Sequence, residues 1–408
     1  MRARYVLIAT IAGVLTLPSA GQAVKLEVLH NFGSANDGNV PSGPLLLDMI
    51  GNLYGATGGG PGEYGNGLIF RLTPRANGTW TETILHEFTA DSDGAYPQGA
   101  LLLNGAGNLF GTVGGYGSYA MGGVFELTHG SSGWSNAVLY SDGAGAGLVS
   151  DNRGSLYGDI GPGLYELGAI GELSSGSSGR MYTDLYNYCE TYCPDGVSQP
   201  AAPIWDSKGN LWGVTTFGGI TNSPCISEEG CGVIFAMTPK GDGTWSYHVI
   251  HRFAASIYDG QRPYGSLVMD SAGNFYGSTW LGGRYNNGTI FKFSHASGKW
   301  KETILYDFPN CHVGCQADGT LAMDGAGNLY GTADGGMNSC DGLACGVVFK
   351  LAPQTNGTWR YRMLYNFNIT SGGVSPFYGV ILDSRGNLYG VTSSFGKYGG
   401  GTAFEIMP

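Results

Sequence analysis

The apolar residues of this chain occur in short runs that are separated by turns rich in glycine, asparagine and aspartate. No stretch keeps the i, i+3, i+4, i+7 spacing that is typical of an amphipathic helix. Runs such as 68–72 (Leu-Ile-Phe-Arg-Leu) and 82–88 (Glu-Thr-Ile-Leu-His-Glu-Phe) have the length and the side chains of β-strands. The pattern therefore predicts an all-β protein made of many short strands.

One short string recurs seven times and divides the chain into seven units. It reads Gly-Asn-Leu-Tyr-Gly at 51–55, and related strings stand at 107–111, 154–158, 209–213, 273–277, 327–331 and 386–390. Three residues before each opening glycine stands one of Asp48, Asn104, Asp151, Asp206, Asp270, Asp324 and Asp383. Aspartate or asparagine at the first position and glycine at the fourth favour a type I turn. We interpret these side chains as structural parts of a strand–turn–strand unit, not as catalytic groups.

Each unit continues with two further strands. The third strand opens with a glycine in most units, as at Gly67, Gly232, Gly288, Gly346 and Gly401. Hairpin turns such as 77–80 (Asn-Gly-Thr-Trp) then lead into the fourth strand, because Asn-Gly adopts the positive φ angles of a two-residue hairpin. Four antiparallel strands form one propeller blade. Residues 24–408 are therefore predicted to be a single domain, a seven-bladed β-propeller of four-stranded antiparallel blades.

The two ends of this domain complement each other. The last unit reaches Pro408 directly after its third strand, whereas Glu27–Phe32 resembles a fourth strand without companions. Pairing the N-terminal strand with the last blade leaves no open sheet edge. We expect this pairing to close the ring.

Residues 1–23 have the features of a signal peptide. Arg2 and Arg4 precede an apolar run at 5–17, and small residues at 21 and 23 stand before a predicted cleavage site at Val24. The run is too short to span a bilayer, although an uncleaved N-terminal anchor is the alternative. We expect a secreted or periplasmic protein whose mature chain has no membrane span.

Composition and net charge limit the classes of molecule that this protein is expected to bind. Glycine accounts for 73 of 408 residues, and charged residues make up only 12%, which suits short strands with tight turns. The formal net charge is −11. An acidic surface disfavours nucleic acid and anionic membranes as partners. We expect a monomer without cofactor or metal that binds an extracellular carbohydrate or protein.

The repeat resembles a known family. The D-x-x-G-N-L-Y-G string, the Gly-Gly loop, the G-T-x-F-x-L strand and the L-Y-x-F strand are similar to the GloVer-type tandem repeat, which occurs in secreted bacterial proteins with various anchors. The likeness covers Val24–Pro408, and we expect no anchor after the last strand. The resemblance implies a secreted repeat protein, and it implies no established biochemical activity.

Eight cysteines form four close pairs, Cys189/Cys193, Cys225/Cys231, Cys311/Cys315 and Cys340/Cys345. After a signal peptide, an even number of closely paired cysteines indicates disulfides. Pairing within each loop is the simplest arrangement, and bridges between loops remain open. A zinc site would need further ligands, and only His312 is adjacent.

The candidate binding residues lie in loops on one face of the disc. The loop before the first strand of each blade (its leading loop) and the loop between the second and third strands share this face, because antiparallel strands alternate in direction. Binding residues concentrate on such loops. Blade 5 is richest in candidate ligand-binding residues: Tyr258, Asp259, Arg262, Tyr264, Trp280, Arg284 and Tyr285. Aromatic rings beside arginine suit a sugar or a peptide. The alternative is that these rings only cover their own loops, and the same ambiguity applies to Tyr64, Tyr96, Tyr116, Phe377 and Tyr378.

Catalytic motifs are lacking in the sequence. It contains no G-x-S-x-G, H-E-x-x-H or P-loop string. Asp91 and Asp93 resemble the start of a calcium loop without its remaining acidic ligands, so a turn is the better interpretation. We therefore predict a non-catalytic binding module. The alternative is a polysaccharide-active hydrolase or lyase that uses Glu228, Asp259 or Asp334 at the mouth of the channel.

Overall fold

The fold is described from a computed structural model. It covers residues 24–35, 37–61, 65–114, 122–161, 163, 168–176, 179–188, 193–197, 201–220, 225, 230–256, 258–340, 343–370 and 372–408. The predicted signal peptide at 1–23 lies outside the described residues and stays a prediction. Tyr64, Tyr116, Cys189 and Glu228 also lie outside them.

Seven antiparallel sheets follow one another along the chain, and each is one blade. The first strand, β1 (Lys25–Asn31), belongs to the last blade. Blade 1 contains β2 (Asn39–Pro41) and β3 (Leu46–Leu47), which share one edge, then β4 (Leu53–Gly59), β5 (Leu68–Pro74) and β6 (Trp80–Glu87). Blade 2 contains β7 (Ala95–Leu103), β8 (Leu109–Gly114), β9 (Gly123–Gly130) and β10 (Gly133–Tyr140); blade 3 contains β11 (Ala144–Ser150), β12 (Leu156–Ile160), β13 (Ala169–Gly176) and β14 (Gly179–Asn187).

The remaining four blades keep the same order. Blade 4 contains β15 (Ile204–Trp205), β16 (Leu211–Thr215), β17 (Val233–Pro239) and β18 (Trp245–Arg252); blade 5 contains β19 (Gly260–Met269), β20 (Phe275–Gly282), β21 (Thr289–Ala296) and β22 (Lys299–Asp307). A 3-10 helix, Cys311–Val313, precedes blade 6, which contains β23 (Ala322–Met323), β24 (Leu329–Ala333), β27 (Val347–Pro353) and β28 (Trp359–Asn366) with the small hairpin β25 (Ser339–Cys340) and β26 (Leu343–Ala344). Blade 7 contains β29 (Val380–Leu382), β30 (Leu388–Thr392) and β31 (Thr402–Met407).

The ring closes as the sequence predicts. Strand β1 pairs antiparallel with β31, and Lys25 stands opposite Met407 in the register. The backbone N–H of Phe32 also donates to the carbonyl of Gly401 at 2.9 Å. The seven-bladed all-β fold and its closure by the N-terminal strand are therefore confirmed. Within the described part of the chain, no helix has the length and apolar character that a membrane crossing requires.

The last glycine of each repeated string makes room for an aromatic ring of the same blade. In blade 5, a β-carbon added at Gly277 would lie 2.5 Å from Cζ of Phe291, whose side chain is fully buried. The same relation holds in five other blades, for Gly55/Phe70, Gly111/Phe125, Gly213/Phe235, Gly331/Phe349 and Gly390/Phe404. These rings belong to clusters that join adjacent blades, as Phe291 does with Trp212 of blade 4. The string therefore specifies the packing between and within blades.

The turn residues act as predicted. Asp270 Oδ1 accepts hydrogen bonds from the backbone N–H groups of Ala272 and Asn274, each at 2.9 Å. Its Oδ2 accepts from Asn274 Nδ2 at 2.8 Å and from the Tyr276 hydroxyl at 2.9 Å. Burial alone would raise the pKa of Asp270. The hydrogen bonds outweigh this effect and lower the pKa below its usual value. The aspartate, asparagine and tyrosine thus form one structural unit, and the same contacts recur at Asp48, Asp324 and Asp383.

Neighbouring blades are joined at a residue in the left-handed conformation. Arg262 has φ of 55°, and its backbone N–H donates to the carbonyl of Cys231 in blade 4 at 2.8 Å. The next residue, Pro263, packs over Gly232, where an added β-carbon would lie 2.7 Å from Pro263 Cδ. Tyr96 and Ser375 have the same conformation and precede a proline in the same way. The glycine that opens the third strand is therefore required by the proline of the next blade.

Substituting alanine for Gly277 should destabilise the protein by about 1–3 kcal/mol, because the added methyl group overlaps the buried Phe291 ring. Gly325 is the matched control, since it lies in a strand–turn–strand unit and a β-carbon there meets no atom within 4 Å. Urea unfolding of both variants measures the effect. Equal stability of Gly277→Ala and Gly325→Ala would contradict the role given to the string.

Candidate functional site

A cavity of about 650 Å³ lies where the blades converge. Its described lining comes from blades 1, 2, 4, 5, 6 and 7, so it is the mouth of the central channel. The lining combines aromatic rings, such as Trp280 and Tyr378, with the charged side chains Arg262, Asp318 and Asp334. Such a mixture in a concave site is typical of a ligand pocket.

One repeated position supplies much of this lining. The residue immediately before the glycine at the start of the first strand lines the cavity in five blades: Ser42, Gln98, Tyr264, Asp318 and Tyr378. The glycine that follows allows adjacent blades to touch, since a β-carbon at Gly319 would lie 2.2 Å from the backbone nitrogen of Gly379. Close contact between blades therefore points the preceding side chains toward the same space.

Arg262 is held between two aromatic rings on one wall of the cavity. Its guanidinium carbon lies 5.0 Å from the centroid of the Phe217 ring and 6.0 Å from that of Trp280. These distances are those of cation–π contacts. The left-handed backbone of Arg262, tied to Cys231, sets this position. The wall offers a flat aromatic surface with a fixed positive charge.

Blade 6 contributes the acidic part of the lining, Asp318 and Asp334. Burial and the negative charge of Asp334 raise the pKa of Asp318 well above its usual range. Burial also raises the pKa of Asp334 to about 6. Burial, Tyr264 and Asp318 together raise the pKa of Tyr378 to about 12, so these groups interact across the cavity. Asp334 is held by its backbone carbonyl, which accepts from the N–H of Cys315 at 2.7 Å.

The structure separates the seven predicted residues of blade 5 into three places. Arg262, Tyr264 and Trp280 line the cavity. Tyr258 and Arg284 contact each other outside it, with the guanidinium 5.8 Å from the ring centroid, and Tyr285 is about half exposed. Asp259 is buried and faces His251 on the outer strand of blade 4, with Oδ2 3.6 Å from Nε2. Of the other predicted loop residues, Phe377 and Tyr378 line the cavity, and Asp334 does so as well.

Sequence reasoning missed Phe217 and Asp318. Phe217 follows the second strand of blade 4, in the same loop as Cys225 and Cys231. Asp318 occupies the same repeat position as Tyr264, directly before a glycine. Alignment of that position among the seven units would have found Asp318, because the same position lines the cavity in five blades.

Disulfides form within loops, as the simplest prediction has it. The bonds are Cys225–Cys231, Cys311–Cys315 and Cys340–Cys345. Cys193 is also disulfide-bonded, and Cys189 lies outside the described residues. The first bond braces the segment that holds Arg262, and the second braces the segment that holds Asp334. Disulfides therefore stabilise both walls of the cavity.

Fold and channel mouth together define a seven-bladed β-propeller with an aromatic and polar pocket at its axis. The family model of the Gloeobacter/Verrucomicrobia repeat matches residues 12–227 and 219–408, and the chain belongs to this family. The predicted resemblance to the GloVer-type repeat is thus confirmed. Comparison with curated protein sequences finds no match.

Several solved structures share the fold. A putative 6-phosphogluconolactonase from Bacteroides uniformis is 12% identical with a TM-score of 0.51, over 81% of this chain and 86% of that chain. PorZ, a surface component of the type-IX secretion system of Porphyromonas gingivalis, is 15% identical with a TM-score of 0.52, over 92% of this chain and 47% of that chain. A gluconolactonase from Xanthomonas campestris is 14% identical with a TM-score of 0.44, over 94% and 89%. At these identities, the likeness concerns the fold alone.

The raised pKa of Asp318 predicts that the Asp318→Asn substitution increases the free energy of unfolding by an amount that depends on pH. A carboxyl group with a raised folded pKa stabilises the native state below the unfolded pKa of about 4, and this contribution is lost as pH rises through the folded pKa. Asparagine mimics the neutral group at every pH. The unfolding free energy of the variant, relative to wild type, should therefore increase between pH 3 and pH 8 in urea titrations. A difference that stays constant with pH would contradict the raised pKa of Asp318.

Proposed function

We propose that the protein is a non-catalytic binding module and that the mouth of its channel binds a carbohydrate. The observation that carries this proposal is the wall formed by Trp280, Arg262 and Phe217 in a cavity of about 650 Å³. Pockets on the order of 300–1,000 Å³ take small ligands. A cavity of this volume is large enough for a short oligosaccharide.

The chemistry of the lining supports a sugar. Sugar rings present C–H faces that pack on aromatic rings and hydroxyl groups that need directed hydrogen bonds. Trp280 and Tyr264 supply rings, and Arg262 supplies planar donors. Asp318 and Gln98 supply acceptors at other points of the rim. A peptide would also use the rings, so the binding test includes a peptide library.

A second candidate function rests on the two carboxyl groups. Hydrolysis of a glycosidic bond uses a carboxylic acid with a raised pKa as proton donor, and Asp334 has a pKa of about 6. Among the described lining residues, however, the carboxyl groups are Asp318 and Asp334 alone, both from blade 6. Cleavage also needs an ionised carboxylate on the other side of the scissile bond. Both acids of this site belong to one blade and both have raised pKa values, so binding without cleavage agrees better with it.

Binding is tested with a glycan array followed by calorimetry on the best ligand. Trp280→Ala should weaken binding at least 10-fold, because it removes the largest aromatic ring of the wall on which a sugar would pack. Tyr285→Ala is the matched control on the same blade, since Tyr285 is exposed outside the cavity, and it should bind like wild type.

Three results would count against the proposal. Wild type that binds no glycan, or Trp280→Ala that binds as tightly as wild type, contradicts carbohydrate binding at this mouth. Retention of binding to a peptide library with the same dependence on Trp280 would move the ligand class from sugar to peptide. Cleavage of a bound glycan that Asp334→Asn abolishes would favour the hydrolase.

We further propose that the protein is exported and that residues 1–23 are removed. Three disulfides within loops and the disulfide-bonded Cys193 support an oxidising compartment, since such bonds persist outside the cytosol. Mass spectrometry of the protein from its native host should find a mature N-terminus at Val24. An N-terminus at Met1 in a cytosolic fraction would overturn this proposal.

A further inference from the structure

Two clusters of one histidine and two carboxylates lie at the seams between blades, away from the channel mouth. His30, Asp37 and Glu82 meet between blade 7 and blade 1, and His251, Asp259 and Glu302 meet between blade 4 and blade 5. In each cluster, one possible ligand atom per residue lies within 4.8 Å of the others. None of the six residues is among those that line the cavity.

Both clusters are built from the same three elements. The histidine lies on the fourth strand of one blade, the aspartate in the leading loop of the next blade, and the glutamate on the fourth strand of that next blade. In the first cluster, His30 Nε2 lies 2.9 Å from Asp37 Oδ2 and 3.6 Å from Glu82 Oε2. In the second, the corresponding distances are 3.6 Å and 3.4 Å. Three of these four separations, 3.6, 3.6 and 3.4 Å, match the spacing of about 3.3–3.6 Å between neighbouring ligands of a tetrahedral ion with bonds about 2.0–2.2 Å long. The 2.9 Å contact is a hydrogen bond that the ion would replace.

Unpartnered carboxylate oxygens indicate that each cluster needs a further partner. Asp37 and Asp259 are 3% and 6% exposed, and Oδ1 of each has no hydrogen-bond partner among the described residues. Oε1 of Glu82 and of Glu302 is in the same state. Leaving a buried charged acceptor unpaired costs on the order of 1–3 kcal/mol or more. When both carboxyl groups are ionised, two such residues beside one neutral imidazole carry net negative charge, which a cation would neutralise.

Other seams show that the fold does not require this set. At the positions of the histidine and the glutamate, three seams instead have stacked tyrosine pairs: Tyr140/Tyr182, Tyr186/Tyr247 and Tyr306/Tyr361, with centroids 4.5, 3.8 and 4.4 Å apart. Tyrosine stacking is therefore sufficient to pack one blade on the next. The histidine–carboxylate sets must be explained by something other than packing.

A fourth seam provides an internal comparison. His86 and Asp93 repeat the first two residues of the cluster, but Asn136 stands where the glutamate would be. There the aspartate is satisfied within the protein, because Thr89 donates to Asp93 Oδ1 from its backbone N–H at 3.1 Å and from its hydroxyl at 2.7 Å. Glycine or alanine replaces this threonine in the two complete clusters, at Gly33 and Ala254. The glutamate thus occurs where the aspartate lacks a hydroxyl donor.

We propose that the His30–Asp37–Glu82 and His251–Asp259–Glu302 clusters each bind a divalent transition-metal ion, with Zn²⁺ as the ion to test. One imidazole nitrogen and two carboxylate oxygens suit such an ion, and three protein ligands leave one position for water. The ion would link the outer strands of two blades. In the first cluster, it would fasten β1, the strand that closes the ring.

The competing explanation is a proton shared between the two carboxyl groups. Burial raises the pKa of Glu82 to about 7 and that of Glu302 well above its usual value, so a protonated glutamic acid could donate to the aspartate. Glutamine separates the two explanations. Its neutral amide can donate to the aspartate as a protonated glutamic acid would, but it is a poor ligand for Zn²⁺.

The experiment is equilibrium dialysis of the full chain against micromolar ZnCl₂, after removal of metal with EDTA, followed by elemental analysis. Wild type should bind two more Zn²⁺ ions per chain than the double variant Glu82→Gln/Glu302→Gln, and each single variant should lose one. Subtracting the amount of Zn²⁺ that the double variant binds removes the contribution of exposed histidines. His86→Gln is the matched control and should bind as much Zn²⁺ as wild type.

Thermal unfolding supplies a second measurement. Zn²⁺ should raise the Tm of wild type and of His86→Gln, and it should leave the Tm of the double variant unchanged, because a ligand stabilises only the folded state that binds it. The proposal is overturned if wild type and the double variant bind equal amounts of Zn²⁺. It is also overturned if the glutamine variants equal wild type in stability with and without Zn²⁺, which is the result of a shared proton.

Discussion

The packing of a third-strand phenylalanine against a second-strand glycine fixes the distance between strands in six of the blades. A side chain at the glycine would overlap the ring, as at Gly55 and Phe70, where the added β-carbon would lie 2.4 Å from Cζ. Blade 3 shows how the chain compensates when the phenylalanine is missing. Gly171 stands in its place, and Tyr182 from the fourth strand fills the space, with its hydroxyl donating to the carbonyl of Ile160 at 2.9 Å. An aromatic ring therefore fills this space in blade 3 as well, but it comes from the fourth strand instead of the third.

This packing makes rigid blades, and the junctions between them carry the strain. Non-glycine residues with positive φ, such as Arg262, Tyr96 and Ser375, stand before prolines in the leading loop or in the first residues of the first strand. Each such conformation costs about 1–3 kcal/mol and persists only where the surroundings fix it. At Arg262 the surroundings are the carbonyl of Cys231 and the Pro263–Gly232 contact. The strain is thus located at the rim of the channel, where it orients a side chain of the candidate site.

Features that repeat along the chain could be predicted from the sequence. Features that depend on which residues of different blades come into contact could not. The turn aspartates, the third-strand glycines, the closure by β1 and the pairing of cysteines within loops all follow from local chemistry or from the count of strands. The site does not, because Phe217 and Trp280 meet Arg262 only through contact between blades. Proximity in sequence grouped Tyr258, Asp259 and Tyr285 with Arg262, but their side chains point to different surfaces.

The copies of the repeat are most informative where equivalent positions differ. Positions under folding constraint, such as the closing glycine of the string, vary little among the seven units of this chain. The position before the first-strand glycine holds serine, glutamine, tyrosine or aspartate, and it faces the channel. The outer seam holds stacked tyrosines in some junctions and a histidine with two carboxylates in others. Since both arrangements permit the same ring, the fold alone sets no preference between them, and binding at the channel and at the seams is the explanation that we propose for the difference.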